Sequence, residues 1–255
     1  MTRAFWIEML AITALCAFGL AAVPLVTGQW GWSWDAMNHH IYLGLISEAP
    51  RWHLDVNAAS VQSWQFPYLY WPVYRLALLP QHGAVLGAWW SAVLAALIVP
   101  PIWLISHRLL PQELRGWQGA LQARFERCAS CLIAMSSLVV ITAIGTTAND
   151  PLATVPLLWA LAVMAVPKSS NRRAAWAAAL LGVSIACKLS NVLALPLLFI
   201  WWWSTPGWPL PMRRGFALGI GAVAGYVVAY APWGWQLWLQ TGNPFYPFLT
   251  GIFSR

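Results

Sequence analysis

Long apolar runs separated by short polar breaks occupy most of the 255-residue chain. A helix needs about 20 predominantly apolar residues to cross roughly 30 Å of hydrocarbon. The first such run, Phe5 to Val26, is too long for a signal-peptide core and lacks a clear small-residue cleavage site, which predicts a retained span. A long, less hydrophobic stretch, 27–82, follows and predicts a loop with short juxtamembrane helices. Further spans are predicted over Gly83–Ser106, over Cys128–Thr146, and from the turn Asn149-Asp150-Pro151 to about Val166. The stretch Ala174–Trp203 is too long for one upright helix and short for two, with Lys188-Leu-Ser-Asn191 at its middle. Two half-length helices meeting at Lys188–Asn191 fit it best, and such breaks usually line a cavity. A seventh span is predicted over Gly215–Tyr230, where Gly215, Gly219, Gly221 and Gly225 predict close helix packing.

Composition turns this pattern into a class. Charged residues are only 8% and hydrophobic residues 60%, whereas a soluble domain needs about 25% charged residues to face water. The expected fold is all-α: a single transmembrane domain, 1–255, forming a polytopic bundle of about seven spans. Charge then orients it. Arg3, Arg108, Arg115, Arg124, Arg127, Lys168, Arg172, Arg173, Arg213 and Arg214 fall on one side of the predicted spans; Arg51, Arg75 and Arg255 fall on the other. Basic residues accumulate in cytoplasmic loops. Loops 107–127, 167–173 and 204–214 are therefore expected inside with the N-terminus, and loop 27–82 and the tail 233–255 outside. The net charge of +7 is thus topological, and no nucleic-acid partner is expected because no basic patch forms. Cys128-Ala-Ser-Cys131 has CxxC spacing, but no second Cys or His pair accompanies it, and small residues at a helix start explain it better than zinc.

Seven acids remain to place. Glu8, Glu113 and Glu126 belong to the expected inner side; Asp35, Glu48, Asp55 and Asp150 belong to the outer side, with His39, His40, His53 and His82. In Trp34-Asp-Ala-Met-Asn-His-His-Ile-Tyr42, a regular helix puts Asp35, Asn38, His39 and Tyr42 on one face. A carboxylate beside an imidazole suits a general base or a metal contact; the plainer alternative is Asp35 as a helix cap with a solvated His39. Asn149-Asp150-Pro151 also reads as a helix start. Lys188, costly among apolar neighbours, should meet an anion or a cavity. Glu48, Arg51, His53 and Asp55 precede an aromatic stretch, Gln62 to Tyr74, that suits an interfacial belt or a sugar platform. No Walker loop, dinucleotide fingerprint or GxSxG is present, so no nucleotide cofactor is expected.

These motifs, in this order, resemble the C-type membrane glycosyltransferases (GT-C fold), near the dolichyl-phosphate-mannose and lipid-A aminoarabinose transferase groups. The pieces are Trp34–Tyr42, Arg51 through Asp55 with Gln62, Asn149-Asp-Pro-Leu152, Gly182 through Asn191, and Thr241-Gly-Asn-Pro-Phe-Tyr-Pro-Phe248. The resemblance implies a bacterial inner-membrane enzyme that moves a sugar from a polyprenyl-phosphate donor to an acceptor at the external face. It implies Asp35 as the base or metal contact and Asp150 as the second catalytic acid. Lys188 and Arg51 are the expected holders of the lipid phosphate, and Asn38, His39, Tyr42, Asp55, Gln62 and Asn191 are expected substrate contacts.

Two departures keep alternatives open. Several relatives carry paired acids where Asp35 stands alone, which leaves a divalent metal as an open cofactor. Relatives continue beyond seven spans, and residues 242–253 read like the approach to another one. A truncated or non-catalytic protein working with a membrane-protein partner therefore stands beside the enzyme, and a transporter using the break at Lys188 ranks below both.

Overall fold

The computed structural model describes residues 1–28, 33–55, 58–110, 116–166, 170–204 and 212–253. Arg115, Glu113, Lys168 and Arg255, used above for orientation, lie outside the described residues. Those described are helical or in turns, with no strand among them. The helices are α1 (Arg3–Thr27), α2 (Ile41–Ile46), α3 (Trp71–Ala77), α4 (Gly83–Ala96), α5 (Val99–Leu109), α6 (Gly116–Met135), α7 (Leu138–Ile141), α8 (Asp150–Met164), α9 (Asn171–Cys187), α10 (Leu195–Ser204) and α11 (Met212–Thr241). Three helical lengths are long and apolar enough to cross a membrane: Arg3–Thr27, Gly83–Leu109 and Met212–Thr241. These mark a membrane protein. Ile7, Leu10, Leu15 and Phe18 project outward from α1, as lipid-facing residues should.

Local chemistry sets several boundaries. The Thr2 hydroxyl accepts the Phe5 N–H at 3.3 Å to open α1, and Gly28, at φ 62°, closes it with its N–H on the Pro24 carbonyl. α4 and α5 run on from one another, with Pro100 and Pro101 in the first turn of α5, where missing N–H groups cost little. The apolar run 128–146 does not make the expected single span. α6 ends at Met135, Ser137 turns to an extended conformation, and only the single turn Leu138–Ile141 follows. Conversely, the last helix outruns its expected end at Tyr230 and reaches Thr241, carrying Pro232 within it.

Packing divides the bundle into two ends. At one, Glu8 of α1 pairs with Arg124 at 2.7 Å and Arg127 at 3.3 Å, while buried Arg127 lies 4.8 Å from the Trp103 ring. Arg108 donates to the Ala162 carbonyl nearby on α8. Asp150 starts the same helix 12 residues earlier, about 18 Å away at 1.5 Å per residue. The basic cluster and the Asp150 end are therefore opposite ends of the bundle.

α9 lies along α11 on a seam of small residues. A Cβ on Gly221 or Gly225 would run into the Ala175 or Ala179 backbone, and one on Gly182 would meet the Ala222 and Tyr226 backbone. Two of the four expected glycines thus pack as predicted, whereas Gly219 faces open space. Gly225→Leu should lower stability by about 1–3 kcal/mol through overpacking, and Gly219→Leu should leave it unchanged or raised. Thermal unfolding in detergent checks the contrast; equal effects would show that the seam is not what holds α9 to α11.

Candidate functional site

Three separate pieces of chain converge at the Asp150 end. The first begins at Ser33, whose hydroxyl accepts the Ala36 N–H at 3.1 Å. Capping is thereby done by Ser33, and Asp35 is left with a side chain 53% exposed. Residues Ala36–His40 form a π-helical turn, in which the Ile41 N–H reaches back to the Ala36 carbonyl. That wider turn corrects the face expected from regular helical spacing. Asp35 aligns with His39 and His40 on the cavity side, while Asn38 and Tyr42 point elsewhere. Asn38 donates to the Gln62 side-chain oxygen at 2.6 Å. Tyr42 lies beside Asp55; burial first, and the Asp55 charge second, push its phenol up.

The second piece is the break in the long apolar stretch. α9 stops at Cys187, Lys188 is extended at φ −151°, and a 3-10 turn, Leu189–Ala194, leads into α10. Asn191 serves this break: its amide donates to Ser184 Oγ at 2.8 Å and to the Ala153 carbonyl at 3.2 Å. The Ser184 hydroxyl also donates to Ala153, at 2.7 Å. The break is thus tied to α8 through side chains. Lys188 pairs with Asp150 in the first turn of α8, both side chains about 40% exposed (40% and 41%).

The third piece is aromatic. Tyr226 and Tyr230 stack at 5.0 Å on α11, and Tyr230 stacks on Phe245 at 6.0 Å. Residues 242–253, expected as the approach to another span, instead fold back in turns. Asn243 is buried and donates to the Phe248 carbonyl at 2.7 Å, and Tyr246 meets Trp64 edge-on at 4.6 Å.

Together these enclose a cavity of about 700 Å³. Of the expected site residues, Asp35, His39, Gln62, Asp150 and Lys188 line it. Arg51 and Asp55 do not; they pair with each other at 2.8 Å. Asn38, Tyr42 and Asn191 also stand off the cavity wall. His39 is 5% exposed, its Nδ1 is 3.8 Å from Asp35, and that nitrogen has no hydrogen-bond partner. Among the described residues no three His, Cys, Asp or Glu gather closely enough to hold a metal.

Sequence reasoning passed over His40, Tyr70, Thr147 and Asn149, which hold the walls together. His40 Nδ1 lies 2.6 Å from the Thr147 hydroxyl, and its ring stacks on Tyr70 at 4.5 Å. The Tyr70 hydroxyl donates to Asn149 at 3.1 Å. Only the placement of His40 beside His39 hinted at this. Comparison with protein-family models, with curated proteins and with solved structures gives no match.

Burial holds His40 neutral and moves its pKa from 6.5 to about 3, with the nearby His39 and Lys188 charges acting in the same direction. Burial also lowers His39, against the opposing pull of Asp35. The unfolded chain takes up these protons near pH 6.5 and the folded chain only at lower pH. Stability is therefore fully present above that value and falls as pH drops toward about 3. His40→Gln should flatten that fall in a pH series of unfolding midpoints; an unchanged slope would mean His40 is not held neutral. Thr147→Val, which strands the buried imidazole nitrogen, should cost about 1–3 kcal/mol at neutral pH.

Proposed function

We propose that the protein is a membrane glycosyltransferase that moves a sugar from a polyprenyl-phosphate donor to an acceptor hydroxyl at the external face of a bacterial cytoplasmic membrane. The N-terminus and the Glu8–Arg124–Arg127 cluster then lie inside, and the cavity outside. What carries the reading is the convergence of Asp35, Asp150 and Lys188 on one cavity, although Asp35 stands more than a hundred residues before the other two. Asp35, on a separate segment, reaches the same cavity without taking part in the Lys188–Asp150 ion pair.

Each group has a chemical task that suits its surroundings. The acceptor oxygen attacks the anomeric carbon, its proton passes to Asp35, and the bond from the anomeric carbon to the phosphate oxygen breaks. Asp35 is available because it does not cap its helix and, among the described residues, pairs with no lysine or arginine. The departing phosphate gains negative charge, which Lys188 stabilises. An ammonium carries three N–H groups. Asp150 takes one and fixes the nitrogen at the cavity wall, leaving two for phosphate oxygens. Gln62, its oxygen held by Asn38, keeps its amide N–H groups for sugar hydroxyls. Among the described residues, the donor set lends no support to a bound metal.

Asp35→Asn should lower transfer from a polyprenyl-phosphate sugar at least about 100-fold, the lower bound for loss of a general base, in protein whose unfolding midpoint is unchanged. The assay is release of polyprenyl phosphate in proteoliposomes with a panel of acceptors. Undiminished transfer by the variant removes Asp35 as the base; no transfer by the unaltered protein from any donor tried favours the non-catalytic alternative.

A further inference from the structure

At the basic end of the bundle, opposite the cavity, stands a helix that the proposed reaction does not use. α6 has 20 residues, yet it is not one of the lengths apolar enough to cross a membrane; Arg124, Glu126 and Arg127 stand in its middle. Its last residue, Met135, packs with Leu20 and Ala21 of α1, while Arg127 lies over Phe5 and pairs with Glu8. The two helices therefore run the same way. The part of α6 before Arg124, about 12 Å of helix, then lies at or beyond the start of α1, where bilayer gives way to water. Two faces divide it. Gly119, Ala123 and Arg127 are buried at four-residue spacing. Opposite them, Trp117, Leu121 and Phe125 are exposed at the same spacing, and Leu132 continues the stripe toward the hydrocarbon. Arg124, three residues from Leu121 and seven from Trp117, edges this stripe with its side chain 56% exposed.

Charge selects what covers the stripe. α9 ends at Lys188 on the cavity, so its first turn, with Arg172 and Arg173, lies at the basic end. α11 runs beside α9 in the same direction, Gly221 against Ala175 and Gly225 against Ala179, and opens there with Arg213 and Arg214. With Arg3, Arg108, Arg124 and Arg127 these give eight arginines among the described residues of this end, against two acids, Glu8 and Glu126. Glu126 is already engaged, accepting from the Gln122 amide at 2.8 Å. We propose that Arg124 and the stripe form a site for an acidic phospholipid of the inner leaflet. Its phosphate lies between Arg124 and Trp117, and its acyl chains descend over Phe125 and Leu132. The excess of cations favours an acidic lipid over a zwitterionic one, and the apolar stripe favours a lipid over a soluble anion. Arg124 can exchange Glu8 for phosphate because Glu8 has a second partner. Arg127, its side chain 8% exposed, keeps α1 and α6 joined meanwhile. The site needs no sugar transfer, only the assignment of the basic end to the inner face.

The test uses the full chain in phosphatidylcholine nanodiscs holding a small share of phosphatidylglycerol with a diazirine high in one acyl chain. After illumination, adducts should map to residues 121–132. Unlabelled phosphatidylglycerol should compete them away, and added phosphatidylcholine or inorganic phosphate should not. Arg124→Gln should cut the adducts about five-fold, the loss expected for one arginine at such a surface. Arg172→Gln, which removes the same charge from an exposed position at the same end, should leave them unchanged. Trp117→Gln, at a position open on the surface, should cut them as well and serves should Arg124→Gln fail to fold. Equal effects of Arg124→Gln and Arg172→Gln overturn the site in favour of a diffuse field of charge. Displacement by inorganic phosphate as effective as that by phosphatidylglycerol overturns the lipid assignment. Cross-linking of two copies through Trp117→Cys would make the stripe a self-association face instead. Labelling uses no sugar donor, so its absence leaves the transferase reading standing, and an absence of sugar transfer leaves the lipid site standing.

Discussion

The pairing of Lys188 with Asp150 is the constraint around which the rest of the site is arranged. In a chain with so few charges, a lysine among apolar helices must find an anion, because an unpaired ammonium there costs several kcal/mol. Its partner sits in the first turn of α8, so the end of α9 and the start of α8 are fixed to each other. Breaking α9 at this point leaves backbone groups that the helix would have satisfied. The Asn191 amide reaches the Ser184 carbonyl at 3.4 Å, and the Ser184 hydroxyl and Asn191 amide both donate to the Ala153 carbonyl, which closes the break onto α8. α9 is in turn pressed to α11 through Gly182, Gly221 and Gly225, where a single methyl would collide with backbone. The position of Tyr226 and Tyr230 is thus referred, through a seam without side chains, to the same ion pair.

The opposite wall is held by neutral groups. Segment 33–77 rests on the C-terminal part of α11 through Leu43, Ile46, Tyr70, Trp233 and Leu237, all buried together. Apolar contact alone sets distance poorly, and direction comes from His40 on Thr147 and Tyr70 on Asn149. Both bonds land on the few residues just before Asp150. The loop carrying Asp35 is therefore registered against the helix carrying Asp150 without using either carboxylate. Histidine, tyrosine, threonine and asparagine do the joining.

Much of this was legible in the chain, and the failures have physical causes. A lysine in a 30-residue apolar stretch predicted a break, and the break is at Lys188. Gly221 and Gly225 predicted close packing, and so they pack. The shared face of Asp35, Asn38, His39 and Tyr42 assumed 3.6 residues per turn, and one π-helical turn re-sorted it. Hydropathy over 128–146 reported that the segment is apolar and said nothing of whether it is continuous; the helix ends at Met135 and Ser137 is extended. In the tail, Phe245 and Tyr246 turn onto the cavity wall and α11, while Phe248, Leu249 and Ile252 stay exposed. His40 and Thr147 are 107 residues apart, and no local pattern announces such a pair.

The charges around the cavity finally explain why one acid differs from the rest. Arg51 is matched by Asp55, Arg75 by Glu48 and Lys188 by Asp150. Among the described residues, Asp35 has only His39 beside it, at a distance too long for a hydrogen bond. A carboxylate already committed to a cation is a poor proton acceptor, since the cation stabilises its charged form. Of the two acids on the cavity wall, Asp35 is therefore the one suited to receive a proton, and Asp150 the one suited to hold Lys188 in place. In the proposed transfer, a donor phosphate at Lys188 need not displace Asp150, because the ammonium has hydrogen bonds to spare. The division of labour between two carboxylates follows from which of them the fold has paired.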